Sequence, residues 1–143
     1  VRILFVDDDP QHIELIANTL RQVLGAEVHL AASVEAAVTL LHAQPFDLVI
    51  TDIFIPLGPS ARATLGPRAR RYAETVRHLG GLVLLDEIDR VDPAPKVLTH
   101  TACTDFALLE VLGDRVTDRV PKPAPADVLL RAVLEALDLP APR

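Results

Sequence analysis

The sequence predicts an α/β domain built on a parallel sheet covered by helices on both faces. Three observations predict it. Short apolar runs, partly β-branched, alternate with stretches of helical spacing in the order β-α-β-α-β, and short loops join them. Four of the apolar runs end on residues with chemistry to offer: Asp7 and Asp8, then Asp52, Thr101 and Lys122. The 143 residues, half of them apolar, suffice for one domain, 1–143, with a full core.

Arg2 to Val6 reads as the first strand, running into Asp7-Asp8-Asp9-Pro10. Asp9 and Pro10 fit the N-cap and first position of a helix. That helix places Ile13, Ile16, Ala17, Leu20 and Leu24 on one face and ends at Gly25. Glu27 to Ala31 is a short strand. Ser33 caps a second helix with Ala36, Ala37, Leu40 and Leu41 on one face, stopping before Pro45. Leu48 to Ile50 is a buried parallel strand that delivers Asp52 to the sheet's carboxyl edge, where open α/β sheets bind ligands. Pro56 takes the chain out of the sheet.

Residues 57–79 form an irregular insertion. Gly58-Pro59 and Gly66-Pro67 punctuate a loop, and Arg68 to Leu79 reads as a helix with a narrow apolar face. Five Arg against one Glu give this segment +4, within a chain of −6. It is read either as a passive extension of the crossover or as a lid or partner-docking element. Gly80-Gly81 breaks the segment, and Leu82 to Val91 forms the next helix, with Leu82, Leu85 and Ile88 inward. Lys96 to Thr101 is the fourth strand, with Thr99 and Thr101 on one side and His100 on the other. Asp105 to Leu112 is a helix with more apolar residues than one buried face requires. Either Phe106 and Leu109 face the sheet while Leu108, Val111 or Leu112 lie partly outside, which would suit a homodimer or a target protein, or the whole helix is simply buried deeper. Val116 to Val120 is the fifth strand, followed by Pro121-Lys122-Pro123. Asp127 to Leu137 is the last helix, and 139–143 trails as a tail or linker.

Composition narrows the function. A formal charge of −6 with only 3% aromatics argues against direct nucleic-acid contact. A single cysteine, Cys103, excludes an internal disulfide and suits a cytoplasmic setting. No apolar run approaches the ~20 residues of a membrane-spanning helix. The five histidines show no metal-ligand spacing and read as ordinary surface or core residues. The chain opens in a strand and has no Met, so either an initiator has been removed or it is a piece of a longer protein.

In one parallel sheet the four strand ends share an edge. Asp7 and Asp8 form an acidic cluster whose natural counter-charge is a hard cation such as Mg²⁺. Asp52 offers a nucleophilic carboxylate, Thr101 a hydroxyl and Lys122 a fixed cation. Together they suit phosphoryl transfer onto Asp52.

Val6-Asp7-Asp8-Asp9-Pro10, Thr51-Asp52-Ile53-Phe54-Ile55-Pro56, Thr101-Ala102 and Lys122-Pro123 resemble the receiver domain of bacterial two-component response regulators. Gly81 to Leu85 resembles that family's third helix. The resemblance implies a flavodoxin-like, doubly wound five-stranded sheet of order 2-1-3-4-5. It implies transfer of phosphate from a histidine kinase or phosphotransfer protein to Asp52, a phosphoacceptor switch and not an enzyme. Mg²⁺ would be held by Asp8, Asp52 and the Phe54 backbone carbonyl, and by Asp7 largely through water. Thr101 and Lys122 would grip the phosphoryl group, and the Lys122-Pro123 bond would be cis. The chain departs from the pattern at Arg119, where the family usually carries an aromatic, in the 57–79 insertion, and in Phe54 and Cys103 flanking the site. Two alternatives stand beside this reading: a degenerate receiver acting as a phosphorylation-independent binding module, and a haloacid-dehalogenase-like phosphatase using Asp7-x-Asp9.

Overall fold

A computed structural model describes residues 1–58 and 79–140. Five strands form one parallel sheet in the order β2-β1-β3-β4-β5. They are β1 (Arg2–Val6), β2 (Glu27–Ala31), β3 (Leu48–Thr51), β4 (Lys96–Thr101) and β5 (Asp118–Pro121). The helices are α1 (Pro10–Leu24), α2 (Val34–Ala43), α3 (Gly80–Ile88), α4 (Phe106–Leu112) and α5 (Ala126–Ala136). None of the described helices is long and apolar enough to cross a membrane.

Strand alternation divides the core in two. Ile3, Phe5, Leu48, Ile50, Leu98 and Val120 face one side with α1 and α5, while Leu4, Val6, Val49 and Val97 face the other with α2, α3 and α4. Each such side chain, removed from water, stabilises the fold by about 1.5–3 kcal/mol. The register sets the site: Val6 lies level with Thr51, Thr51 with Thr99, and Thr101 with Pro121. Asp7, Asp52 and Lys122 therefore leave the sheet at one carboxyl edge, beside Thr101.

The expected caps are present. The Asp9 side chain accepts from the His12 N–H, Pro10 follows it, and Gly25 ends α1 at φ 62°. Ser33 Oγ accepts from the Ala36 N–H. In α2, however, the buried face is Val34, Ala37 and Leu41, with Leu40 half-buried and Ala36 exposed.

Gly80-Gly81 does not interrupt; it starts α3. The Gly80 N–H donates to the Ile55 carbonyl at 2.9 Å and the Gly81 N–H to the Ile53 carbonyl at 3.0 Å. A Cβ on Gly80 would lie 2.3 Å from the Ile55 oxygen, and one on Gly81 2.6 Å from the Ile53 Cα. The helix start presses against the segment that carries Asp52, and only glycine permits that approach. The helix ends at Ile88, before the expected Val91, and nearly all of it is buried.

Two further expectations are corrected. In α4 it is Leu108 and Leu112 that are buried, while Leu109 and Val111 are half-buried against the same core. Among the described leucine and valine side chains of α4 only Leu109 and Val111 are partly exposed, and both pack on the core, which favours the deeper-buried alternative over a homodimer surface. β5 begins at Asp118 and not Val116, because a 3₁₀ turn over Gly113–Arg115 follows α4. Arg115 fixes that turn by donating to Asp89 at 2.7 Å and to the Pro95 carbonyl at 2.8 Å.

The insertion helix expected over Arg68–Leu79 falls outside the described residues except for Leu79, which precedes α3 as its N-cap. Both anchors of the segment are described. The Val34 and Glu35 N–H groups donate to the Pro56 and Leu57 carbonyls at 3.0 and 2.9 Å. The chain before the insertion thus caps α2, and the chain after it is tied to Ile55. Of the tail, residues 139 and 140 are described, and the Leu139 N–H donates to the Leu134 carbonyl.

Candidate functional site

Lys122 is the centre of the site. Its Nζ donates to Asp7 Oδ2 at 2.6 Å and to Asp52 Oδ2 at 2.9 Å. Asp7 is 1% exposed and Asp52 5%, so one ammonium serves two carboxylates that water barely reaches. Burial by itself would lower the Lys122 pKa. The bonds to Asp7 and then Asp52 outweigh it, and the ammonium is held above the ordinary lysine value.

Each carboxylate has a second partner from its own turn. Asp7 Oδ1 accepts from the Asp9 N–H at 2.9 Å, so the residue that caps α1 also orients Asp7. Asp52 Oδ1 accepts from the Phe54 N–H at 3.1 Å. The Lys122 N–H donates to the Thr101 carbonyl at 2.9 Å, which continues the β4–β5 pairing past the strand end. The Thr101 hydroxyl, in a residue 5% exposed, accepts from the Cys103 N–H at 3.3 Å. The Lys122-Pro123 bond is cis, as the resemblance implied.

The side chains of Asp7, Asp52 and Lys122 therefore meet, and Thr101 ends its strand at the same edge, joined to Lys122 through the backbone. Asp8 does not join the buried cluster; its side chain is exposed beside it. Phe54 presents its amide to Asp52 and is itself 42% exposed. Among the described residues no three His, Cys, Asp or Glu side chains gather as a metal cluster. The donor chemistry nonetheless fits Mg²⁺, which takes one or two carboxylates and fills its shell with water and phosphate oxygens. Asp7 and Asp52 supply two such carboxylates on one ammonium, and Asp8 stands next in the chain.

Arg119 neither reaches the carboxylates nor pairs its guanidinium with Asp118. The guanidinium donates to the Leu109 carbonyl at 3.0 Å, and only the Arg119 backbone N–H meets Asp118. Thr99, Thr101, Cys103, Leu109 and Arg119 line a small cavity, and the buried Thr99 hydroxyl has no hydrogen-bond partner among the described residues.

Sequence reasoning missed a histidine pair. His12 Nε2 and His100 Nε2 lie 3.0 Å apart, and His100 Nδ1 is 2.9 Å from the Val120 carbonyl. No local signal could have found it, because the partners are 88 residues apart.

A buried carboxylate at the end of β3, a second after β1, and a lysine after β5 that bridges them form one charged cluster at the carboxyl edge of a doubly wound α/β domain. Comparisons with known proteins show what this chain is similar to. Residues 3–58 match the family described as response regulator receiver domain. A response regulator receiver protein of Anaeromyxobacter sp. is 29% identical over 123 residues, 85% of this chain and 42% of that protein. The sensor histidine kinase GacS of Pseudomonas protegens is 36% identical over 77 residues, 54% of this chain and 8% of that protein. The chain thus spans less than half the length of either curated relative. The non-phosphorylated receiver domain of HemR from Leptospira biflexa superposes with a TM-score of 0.74 at 22% identity, covering 99% of this chain and 98% of that one. Residues 3–58 are thus similar to the response regulator receiver family, and the described chain as a whole has the fold of a receiver domain. The family match ends at residue 58, just inside the 57–79 segment, while the fold continues through β4, β5 and α5.

Proposed function

We propose that the domain takes a phosphoryl group onto Asp52 from the phosphohistidine of a kinase or phosphotransfer protein, and that this switches its contact with a partner or output. The observation that carries the reading is the Lys122 ammonium shared by buried Asp7 and Asp52, at the sheet edge where the strand bearing Thr101 also ends. An Asp52 oxygen attacks phosphorus, and the bond from phosphorus to the donor nitrogen breaks. The donor imidazole leaves with the electron pair and regains a proton. Lys122 is placed to follow the incoming charge, releasing Asp52 Oδ2 for a phosphoryl oxygen while keeping Asp7. Thr101 can donate to another oxygen by turning its hydroxyl, whose lone pair now serves the Cys103 N–H. Mg²⁺, when held by Asp8, Asp52, the Phe54 carbonyl and, through water, Asp7, would neutralise charge on the phosphoryl oxygens.

The kinase as donor is supported by the family and by a relative that is itself a sensor histidine kinase. The test is intact mass after incubation with Mg²⁺ and a small phosphodonor. One phosphoryl group should add to the chain, and none to Asp52→Asn or in the presence of a chelator. Labelling that survives either condition would exclude Asp52 as the acceptor.

A further inference from the structure

The site described so far does not use the most deeply buried titratable ring among the described residues. His100 is 0% exposed and lies on the sheet face shared by α1 and α5. Its two ring nitrogens have assigned work. Nδ1 faces a carbonyl oxygen, that of Val120, and an oxygen can only accept, so Nδ1 carries the proton. Nε2 of the neutral ring is then a lone pair, and the proton between the two histidines must come from His12 Nε2. The ring centroids are 5.1 Å apart with planes 23° apart. With the Nε2 atoms at 3.0 Å, this is an end-to-end pair in nearly one plane and not a stack.

The partners tie the pair to the site. Val120 stands two residues before Lys122, and the Lys122 N–H is bonded to the carbonyl of Thr101, the residue after His100. His12 sits in the first turn of α1, and its backbone N–H is bonded to the Asp9 carboxylate, whose own N–H orients Asp7. One line of hydrogen bonds therefore runs from the strand that carries Lys122, through His100 and His12, to the turn that carries Asp7. These are the two ends of the shortest ion pair in the site.

We propose that His12 and His100 form a proton-sensitive clasp, in which His100 is a positioning residue that sets Lys122 against Asp7 and Asp52 for phosphoryl transfer. The proposal rests on the phosphoacceptor reading. The clasp needs a lone pair on His100 Nε2. A proton placed there sets two N–H groups against each other and breaks the pair. The charged groups acting on His100 are His12 on α1, Lys122 beyond β5 and Asp7 at the end of β1. The α5 residues on this face, Leu129, Ala132 and Val133, are apolar. Burial dominates, and His100 is held below the ordinary histidine value, so the clasp stays closed at neutral pH.

The experiment has two arms on the full chain. In the first, imidazole ¹⁵N shifts read tautomers and titrations without any phosphodonor. His100 should be the Nδ1–H tautomer, should titrate below the ordinary range, and should move the Lys122 amide resonance with the same midpoint. An Nε2–H tautomer on His100, or a Lys122 amide indifferent to its titration, would overturn the clasp. In the second arm, labelling of Asp52 by a small phosphodonor is compared between wild type and His100→Leu across pH. The variant should be about ten-fold slower near pH 7, and the gap should close as wild type loses its clasp in acid. A ratio constant at every pH would make His100 structural only and overturn the positioning role. His12→Gln, which keeps an N–H donor, should retain more of the rate than His12→Phe. Absence of labelling in wild type would remove the phosphoacceptor reading, while the first arm would still decide whether the clasp positions Lys122.

Discussion

Replacing Lys122 by Met tests the electrostatics of the site directly. In the wild type one ammonium, in a side chain 19% exposed, holds two carboxylates in residues 1% and 5% exposed. Met keeps the stem and removes the charge. Two facing carboxylates then remain, and the cheapest response is for one of them to take up a proton on folding. At pH 7 that costs about 1.4 kcal/mol for each unit between the pH and an unfolded aspartate pKa of ~3.9, or roughly 4 kcal/mol. This agrees with the ~3–5 kcal/mol typical of a buried pair stripped of one partner. The sign follows from linkage. The variant binds more protons folded than unfolded, so its deficit should shrink by about 1.4 kcal/mol per pH unit on acidification. The wild-type Lys122 contribution, from a pKa raised above the unfolded value, is full below ~10.4 and flat between pH 5 and 7. Urea unfolding of both proteins at about pH 7, 6 and 5 measures the difference. Mg²⁺ should recover part of the deficit at pH 7. A difference below about 1 kcal/mol at pH 7, or one independent of pH, would refute the reasoning.

Gly80→Ala and Gly81→Ala should each destabilise by about 2 kcal/mol or more, because the new methyl meets backbone of residues 53–55; a shift in urea midpoint checks it. With an exposed Phe54 and a weak thiol at Cys103, little orients a water for attack on an acyl phosphate, so self-dephosphorylation should be slow. Phe54→Asn with Cys103→Glu should shorten the phosphate's lifetime, read by decay of the labelled mass. Replacing 57–79 with a short loop should preserve cooperative unfolding only if the loop keeps the Leu57 carbonyl on α2 and the chain's return to Ile55. If the segment governs kinase access, that replacement should alter transfer from a kinase far more than transfer from a small phosphodonor.

Much of the fold was legible because period and punctuation agree. β1, α1 and β2 run between Pro, Gly and acidic signals that act locally, and so their ends were readable to the residue. The site was legible because four strand ends must share an edge in a parallel sheet. What escaped depends on distant contacts. Gly80-Gly81 reads as a break in sequence, yet it is a helix start shaped by Ile53 and Ile55. The facing of α4 was left open because Leu108 and Leu109 are chemically equivalent and only packing against the sheet separates them. Asp7 and Asp8 look alike as neighbours, but one points into the core edge and the other to solvent. The His12–His100 pair joins two elements that no spacing rule connects.

The central claim is that Asp52 carries the phosphoryl group. The most direct measurement is to label the chain with a small phosphodonor and Mg²⁺, trap the acyl phosphate by borohydride reduction, and locate the reduced residue by peptide mass spectrometry. The account predicts a single modified position, Asp52, with labelling weakened by Lys122→Met. Modification at Asp7, Asp8 or Asp9 with Asp52 untouched would contradict it.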